Sequence, residues 1–237
     1  MEKQKWILVT GADRGLGLAF CEEFLNRGYH VIGAGHREDS PALEELRKQW
    51  GEKMCPIVLD VASCASVAHS VEQVRKYTDA LWLLVSNAGM GNHGPDIRKG
   101  VCPEDNWRMF QVNALGACWI TEAYLPMLRK GGKRLAYISS EAGSVAVAHR
   151  EDTFGYCMSK TALNRAVRVY HNRLAPEGFR VYLYHPGWLK TMMMGAEAEG
   201  TLPPEKSAQI AADYFLEEEG RRDCLVIRDW EGRIWPF

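Results

Sequence analysis

The sequence predicts a doubly wound α/β fold, a single domain over residues 1–237 built on a seven-stranded parallel sheet with helices on both faces. Three observations point there. Short apolar runs alternate with longer amphipathic stretches along the whole chain, the pattern of βαβ units. Most of the apolar runs are continuous rather than alternating, as in strands covered on both faces. No internal repeat, low-complexity tract or Pro/Ser-rich linker divides the 237 residues, and α/β folds carry such a length as one domain.

The strands are expected at Trp6–Thr10, His30–Ala34, Met54–Leu59, Leu81–Ser86, Arg134–Ser139, Arg180–Tyr184 and Cys224–Ile227. Helices fill the gaps. Leu16–Arg27 stops at Gly28, a suitable residue just past a helix end. Ser40 followed by Pro41 reads as an N-cap with proline in the first turn, and that helix stops at Gly51. Ser63–Tyr77, Pro103–Lys130, Thr153–Ala175 and Pro204–Glu219 supply the rest, with stops at Gly131 and Gly178. In such sheets, ligands bind outside the carboxyl ends of the strands.

Composition excludes several functions. A net charge of −1 supplies no field to recruit nucleic acid or an anionic membrane. The seven cysteines form no CxxC pair and no zinc-like spacing with histidine, so no metal site is expected. Reduced thiols fit a cytoplasmic protein. The charged start, MEKQKW, does not read as a signal peptide. No apolar run approaches a membrane span.

Chemistry is marked first at the end of the first strand, where Thr10-Gly11-Ala12-Asp13-Arg14-Gly15-Leu16-Gly17 leads into a helix. Glycines there let the backbone approach a pyrophosphate, and the helix aims free N–H groups and its positive dipole end at the anion. No Lys-Ser/Thr pair follows, so this is not a Walker loop. Further on, Tyr156 and Lys160 stand four apart and share one helix face. An ammonium near a phenol favours the phenolate and is expected to lower its pKa by about one to three units. Such a pair can exchange a proton with a carbonyl or alcohol oxygen.

The GxxxGxG spacing resembles the short-chain dehydrogenase/reductase superfamily, and other sites match it in order. They are Asp60-Val61 after the third strand, Asn87-Ala88-Gly89 after the fourth, Asn113-Ala114-x-Gly116, Ser139-Ser140 after the fifth, Tyr156-x-x-x-Lys160, and Pro186-Gly187 with Thr191 after the sixth. Ser86 replaces the first Asn of the family's NNAG. The resemblance implies a Rossmann-type sheet and a hydride transfer between nicotinamide and a carbonyl or alcohol substrate, with Tyr156 as general acid/base. Ser140, three residues before Gly143, would polarise the substrate oxygen, with Ser139 as the other bearer of that role. By resemblance, Lys160 also holds the nicotinamide ribose and Asn113 anchors a water. Asp60 would contact adenine, or simply cap the next helix.

At the end of the second strand, Gly35 stands where NAD-preferring enzymes place an acid. Arg37 or His36, with Arg14, could meet a 2′-phosphate instead, so NADP(H) is expected over NAD(H). The span between Ser140 and Tyr156 is longer than is usual in the family, and its residues His149 to Asp152 read as a surface loop at the pocket mouth. The Met-rich stretch near residues 188–203 reads as a substrate lid. His185-Pro186-Gly187-Trp188 and Ile227–Gly232 resemble the sniffer and C-factor type of carbonyl reductase. Arg165, Arg168 and Arg173 form a solvated face or a pairing surface for a homodimer or homotetramer. A module that binds NADP(H) without turnover is the competing function, although such modules usually lack one of Asn113, Ser140, Tyr156 and Lys160.

Overall fold

The computed structural model describes residues 4–91, 102–147, 149–191, 200–217 and 224–237. Strands β1 (Trp6–Thr10), β2 (His30–Gly35), β3 (Met54–Val58), β4 (Leu83–Ser86), β5 (Arg134–Ile138), β6 (Arg180–His185), β7 (Ile227–Asp229) and β8 (Ile234–Trp235) form one sheet in the order β3-β2-β1-β4-β5-β6-β7-β8. All neighbours are parallel except β7 and β8. Helices α1 (Gly15–Asn26), α2 (Pro41–Trp50), α3 (Cys64–Arg75), α4 (Pro103–Phe110), α5 (Gly116–Lys130), α6 (Phe154–Leu174) and α7 (Pro204–Leu216) connect them.

Alternate strand residues serve opposite faces. Ile7 and Val9 pack with Phe20, Phe24, Leu43, Ala211 and Phe215 under α1, α2 and α7. Leu8 packs with Val67, Ile120, Tyr124, Leu163 and Val167 under α3, α5 and α6. The chain winds outward from β1 through β2 to β3, then returns to place β4 on the other side of β1. That reversal opens a crevice at the carboxyl ends of β1 and β4.

Among the described residues the sheet has eight strands, not the expected seven, and β7 begins at Ile227 rather than Cys224. Asp229 is responsible for the extra strand. Its carboxylate accepts from the N–H groups of Glu231 (2.9 Å) and Arg233 (2.8 Å) and from the Trp235 indole (2.8 Å), folding the chain back after three residues. A two-residue strand is too short to leave a period in the sequence. The long helix expected over 103–130 is interrupted by a π turn, Gln111–Leu115, and such turns are frequent at functional sites.

Candidate active site

The first half of the crevice is built from backbone. Gly11 adopts φ +63°, and a Cβ there would lie 2.8 Å from the Ala88 Cα. A Cβ on Gly17 would lie 2.0 Å from the Gly11 carbonyl oxygen, so the turn closes on itself only because both are glycine. Thr10 ties β4 to this turn, its hydroxyl accepting from the Asn87 and Ala88 N–H groups (both 3.0 Å). The Asn87 amide donates to the carbonyls of Thr10 (2.9 Å) and Gly11 (3.2 Å). Asn87-Ala88-Gly89 thus clamps the glycine turn in place.

Arg14 is the N-cap of α1 but makes no side-chain cap bond, and the first turn carries no acid. The opening N–H groups of α1 are left for an anion, which fits a pyrophosphate. Leu16 and Gly17 are buried beneath it, and Thr191 approaches Gly15 from across the crevice. Asp13 pairs with Arg14 at 3.3 Å and packs beside Gly35. His36 and Arg37 follow, both exposed at the crevice rim.

Asp60 does not cap α3. That place belongs to Ser63, whose hydroxyl accepts from the Ser66 N–H. The Asp60 carboxylate instead closes a turn on the Ala62 N–H (2.9 Å) and faces His36 and Arg108, each at 3.9 Å. Val61 is buried against Gly116 of α5.

In the second half, side chains converge on one point. The π turn carries Asn113, which is buried and exchanges two bonds with the Met90 backbone (both 2.8 Å) while donating to Ser159 (2.9 Å). Lys160 is buried on α6, with its ammonium donating to the Ile138 carbonyl at 2.8 Å. Burial pulls its pKa down to about 8. Gly89 packs beside both, and a Cβ there would lie 3.3 Å from the Asn113 oxygen and 3.7 Å from the Lys160 ammonium. Tyr156 lies one turn before Lys160, with the ammonium 5.7 Å from its ring centre. The expected downward shift of the phenol is not found. Burial dominates and pushes Tyr156 up to about 12, with the Ser140 hydroxyl acting in the opposite direction.

Of the two serines, Ser139 turns into the core and donates to Asn164 at 2.6 Å. Ser140 faces Tyr156 and donates to the Glu141 carboxylate at 2.5 Å. Glu141 also accepts from the Arg150 guanidinium, from Nε at 2.8 Å and Nη2 at 2.5 Å, and its other oxygen lies 3.7 Å from His185 Nε2. Burial opposes ionisation of Glu141, but Ser140 and Arg150 outweigh it and hold the carboxyl below its usual range. Burial lowers His185. Nothing in the sequence marked Glu141, Arg150 and His185 as neighbours, because three segments meet there only in the fold. Arg150 does not lie on an open surface loop as expected. Its guanidinium sits 5.8 Å from the ring centres of both Tyr156 and Trp188. His149 remains exposed.

Past β6, Pro186 accepts from Ser207 (2.8 Å) and Gly187 packs on Trp230. Trp188–Lys190 is pinned to Thr201-Leu202 by backbone bonds of 3.0–3.1 Å. The Met192–Met194 part of the expected lid lies outside the described residues. Arg168 is not on a solvated face, since it donates to the Leu225 carbonyl (3.1 Å) and lies over Phe237.

Residues 5–201 match the short chain dehydrogenase family. Mouse estradiol 17-beta-dehydrogenase 2 is 32% identical over 82% of this chain, which spans 50% of that relative's length. A carbonyl reductase from Pseudomonas aeruginosa PAO1, crystallised in complex with NADP, superposes with a TM-score of 0.83 at 27% identity, covering 99% of this chain and 100% of that one. The carbonyl reductase Sniffer of Drosophila melanogaster does so with a TM-score of 0.87 at 25% identity and the same coverage. The family match over most of the chain and the superpositions over nearly all of it agree, and the chain belongs to the short chain dehydrogenase family.

Proposed function

We propose that this chain is an NADP(H)-dependent oxidoreductase interconverting a carbonyl compound and an alcohol, with Tyr156 exchanging the proton of the reacting oxygen. One observation carries this reading: Tyr156, Lys160 and Ser140 meet at the carboxyl edge of the sheet, next to a helix start whose N–H groups are uncapped. The nicotinamide, when bound, supplies or accepts the hydride. The chain does the rest. Gly11, Gly15, Leu16 and Gly17 cradle the pyrophosphate, and Asn87, Ala88 and Gly89 keep that cradle closed. Asp60 and Val61 border the adenine, while Pro186, Gly187 and Thr191 border the nicotinamide end.

Tyr156 holds its proton at neutral pH, since burial raises it, and so serves as the acid in carbonyl reduction. Lys160 keeps an ammonium beside it and offers donors to the ribose hydroxyls. Asn113 stiffens the wall behind them through Met90 and Ser159. NADP(H) is preferred to NAD(H) because Gly35 leaves no acid for a ribose 2′-OH, while His36 and Arg37 stand exposed beyond it, with Arg14 across the rim. Trp188–Lys190 and Thr201-Leu202, pinned to each other by backbone bonds, border the substrate. All seven cysteines are free, in keeping with a cytoplasmic setting.

The test is loss of NADPH absorbance, and separately of NADH absorbance, across a panel of ketones, aldehydes and quinones. Turnover with NADPH is expected, and Tyr156→Phe should remove at least about two decades of rate while NADPH still binds. Full turnover in that variant would move the proton donor elsewhere.

A further inference from the structure

Adenine has an amino group on one edge and two flat faces. Proteins read such a base with an acceptor at the edge and with planar groups stacked on the faces, the arginine guanidinium among them. Asp60 supplies an acceptor at the proposed adenine end of the crevice. Its Oδ1 is spent on the Ala62 N–H at 2.9 Å and faces His36 at 3.9 Å. Its Oδ2 accepts no hydrogen bond among the described residues, and the group facing it is the Arg108 guanidinium, with Nη2 3.9 Å away. That is too far for a hydrogen bond, and an exposed ion pair contributes little. Asp60 therefore does not account for where Arg108 sits.

The helix does. The run from α4 through the π turn into α5 passes the end of β3, where Gly116 packs on Val61. Arg108 stands about two turns earlier on that run, and its side chain reaches toward Asp60. About half of that side chain is exposed, and its five N–H groups make no hydrogen bond among the described residues. A flat cation thus stands beside an unspent acceptor and the apolar, buried Val61.

We propose that Arg108 is a cofactor-binding residue, its guanidinium closing over the adenine face while Asp60 Oδ2 takes the adenine amino group. This deepens the dinucleotide reading and rests on it. Adenine is common to NADPH and NADH, so Arg108 adds affinity for both and does not choose between them. That choice is left to His36 and Arg37 at the rim beyond β2.

Binding tests the proposal without turnover, so it stands apart from whether the chain reduces carbonyls. NADPH, NADH and ADP are titrated against wild type, Arg108→Met and Arg108→Lys, with melting curves for all three proteins. Arg108→Met keeps the aliphatic stem but loses plane and charge, and should weaken each ligand about tenfold, the scale of a cation over a ring. Arg108→Lys keeps the charge without the plane and should recover little of that loss. Nicotinamide mononucleotide, which lacks adenine, should bind all three proteins alike. A loss confined to NADPH, or one that Arg108→Lys restores in full, would make Arg108 a phosphate ligand and overturn the adenine assignment. An equal loss for nicotinamide mononucleotide would also overturn it, by showing a general disturbance of the crevice. Wild type that binds these ligands no better than Arg108→Met overturns this proposal alone, whereas wild type that binds none of them overturns the dinucleotide reading with it.

Discussion

The two halves of the crevice are made by different means. The half at β1 and β4 is backbone, with glycines packed against carbonyl oxygens and threonine and asparagine bonded to the main chain. The half at β5 and α6 is side chain, with a buried ammonium, a buried phenol and a carboxylate shared among Ser140, Arg150 and His185. The difference is one of tolerance. The backbone cradle has no slack at Gly11 and Gly17, because an added Cβ there strikes main chain. A side-chain cluster can lose a member and keep its shape, but its electrostatics change at once.

The largest expected effect would break that contrast if it failed. Gly17→Ala places a Cβ 2.0 Å from the Gly11 oxygen and 2.6 Å from the Asn87 amide. The turn must open, costing about 1–3 kcal/mol or more in overpacking and removing measurable NADPH binding. Melting curves with a fluorescence titration of NADPH would check both. A variant that keeps its affinity would show that the turn is no cradle.

Lys160→Met sharpens the other side of the comparison. The rate should fall by at least about two decades, yet the melting temperature should rise, because a buried cation is replaced by an apolar chain of similar length. Burial holds Lys160 at about 8, below its ordinary 10.5. Between those values the unfolded chain binds more protons than the folded one, so wild-type stability should climb as pH rises through that window. The variant should lose this climb. In the wild type, reduction should fall as pH rises through about 8 and the ammonium is lost. A variant no more stable than wild type, and with the same pH slope, would count against a buried charge at this position.

The same division decides what could be read without coordinates. Backbone requirements leave fixed signatures in order along the chain, which is why Gly11, Gly15, Gly17, Asn87 and Gly89 were legible, and why six of the strands lie where continuous apolar runs place them. Tyr156 and Lys160 were legible too, since four residues apart on a helix is a local statement. Glu141, Arg150 and His185 were not, because Arg150 returns to Glu141 across an irregular loop and His185 arrives from β6, contacts that no fixed spacing reports. The sign of the Tyr156 shift was missed for a related reason. Spacing reports the neighbouring ammonium but not the burial that outweighs it. The strand at Ile234–Trp235 rests on a single side chain, Asp229, bonding outside any periodic pattern, and the π turn at Gln111–Leu115 leaves no period in the sequence.

A smaller effect belongs to the rim, where neither backbone nor burial decides. Arg37→Asp removes an exposed cation and adds a carboxylate near the expected 2′-phosphate. NADPH should weaken against NADH by about ten- to a hundredfold, or roughly 1–3 kcal/mol, the scale of one charged hydrogen bond. Steady-state constants for both cofactors, compared between wild type and variant, would check it. Equal losses would assign Arg37 to the fold rather than to the phosphate.

The smallest effect separates scaffold from cradle within five residues. Ser63 caps α3, its hydroxyl accepting from the Ser66 N–H at 3.2 Å, whereas Asp60 spends one oxygen on the Ala62 N–H and turns the other toward Arg108 at the rim. If the cap and the cofactor wall are distinct, the two residues should fail differently. Ser63→Ala should cost about 1 kcal/mol of stability, the usual worth of a serine cap, and leave NADPH affinity alone. Asp60→Ala should weaken NADPH by several-fold, because the turn that carries Val61 toward the proposed adenine side loses its hydrogen bond, while α3 keeps its cap. Chemical denaturation and NADPH titration of both variants would decide. If Ser63→Ala weakened the cofactor as much as Asp60→Ala does, the start of α3 would itself be part of the cradle, and the line between the two halves would have to be drawn one helix further along the chain.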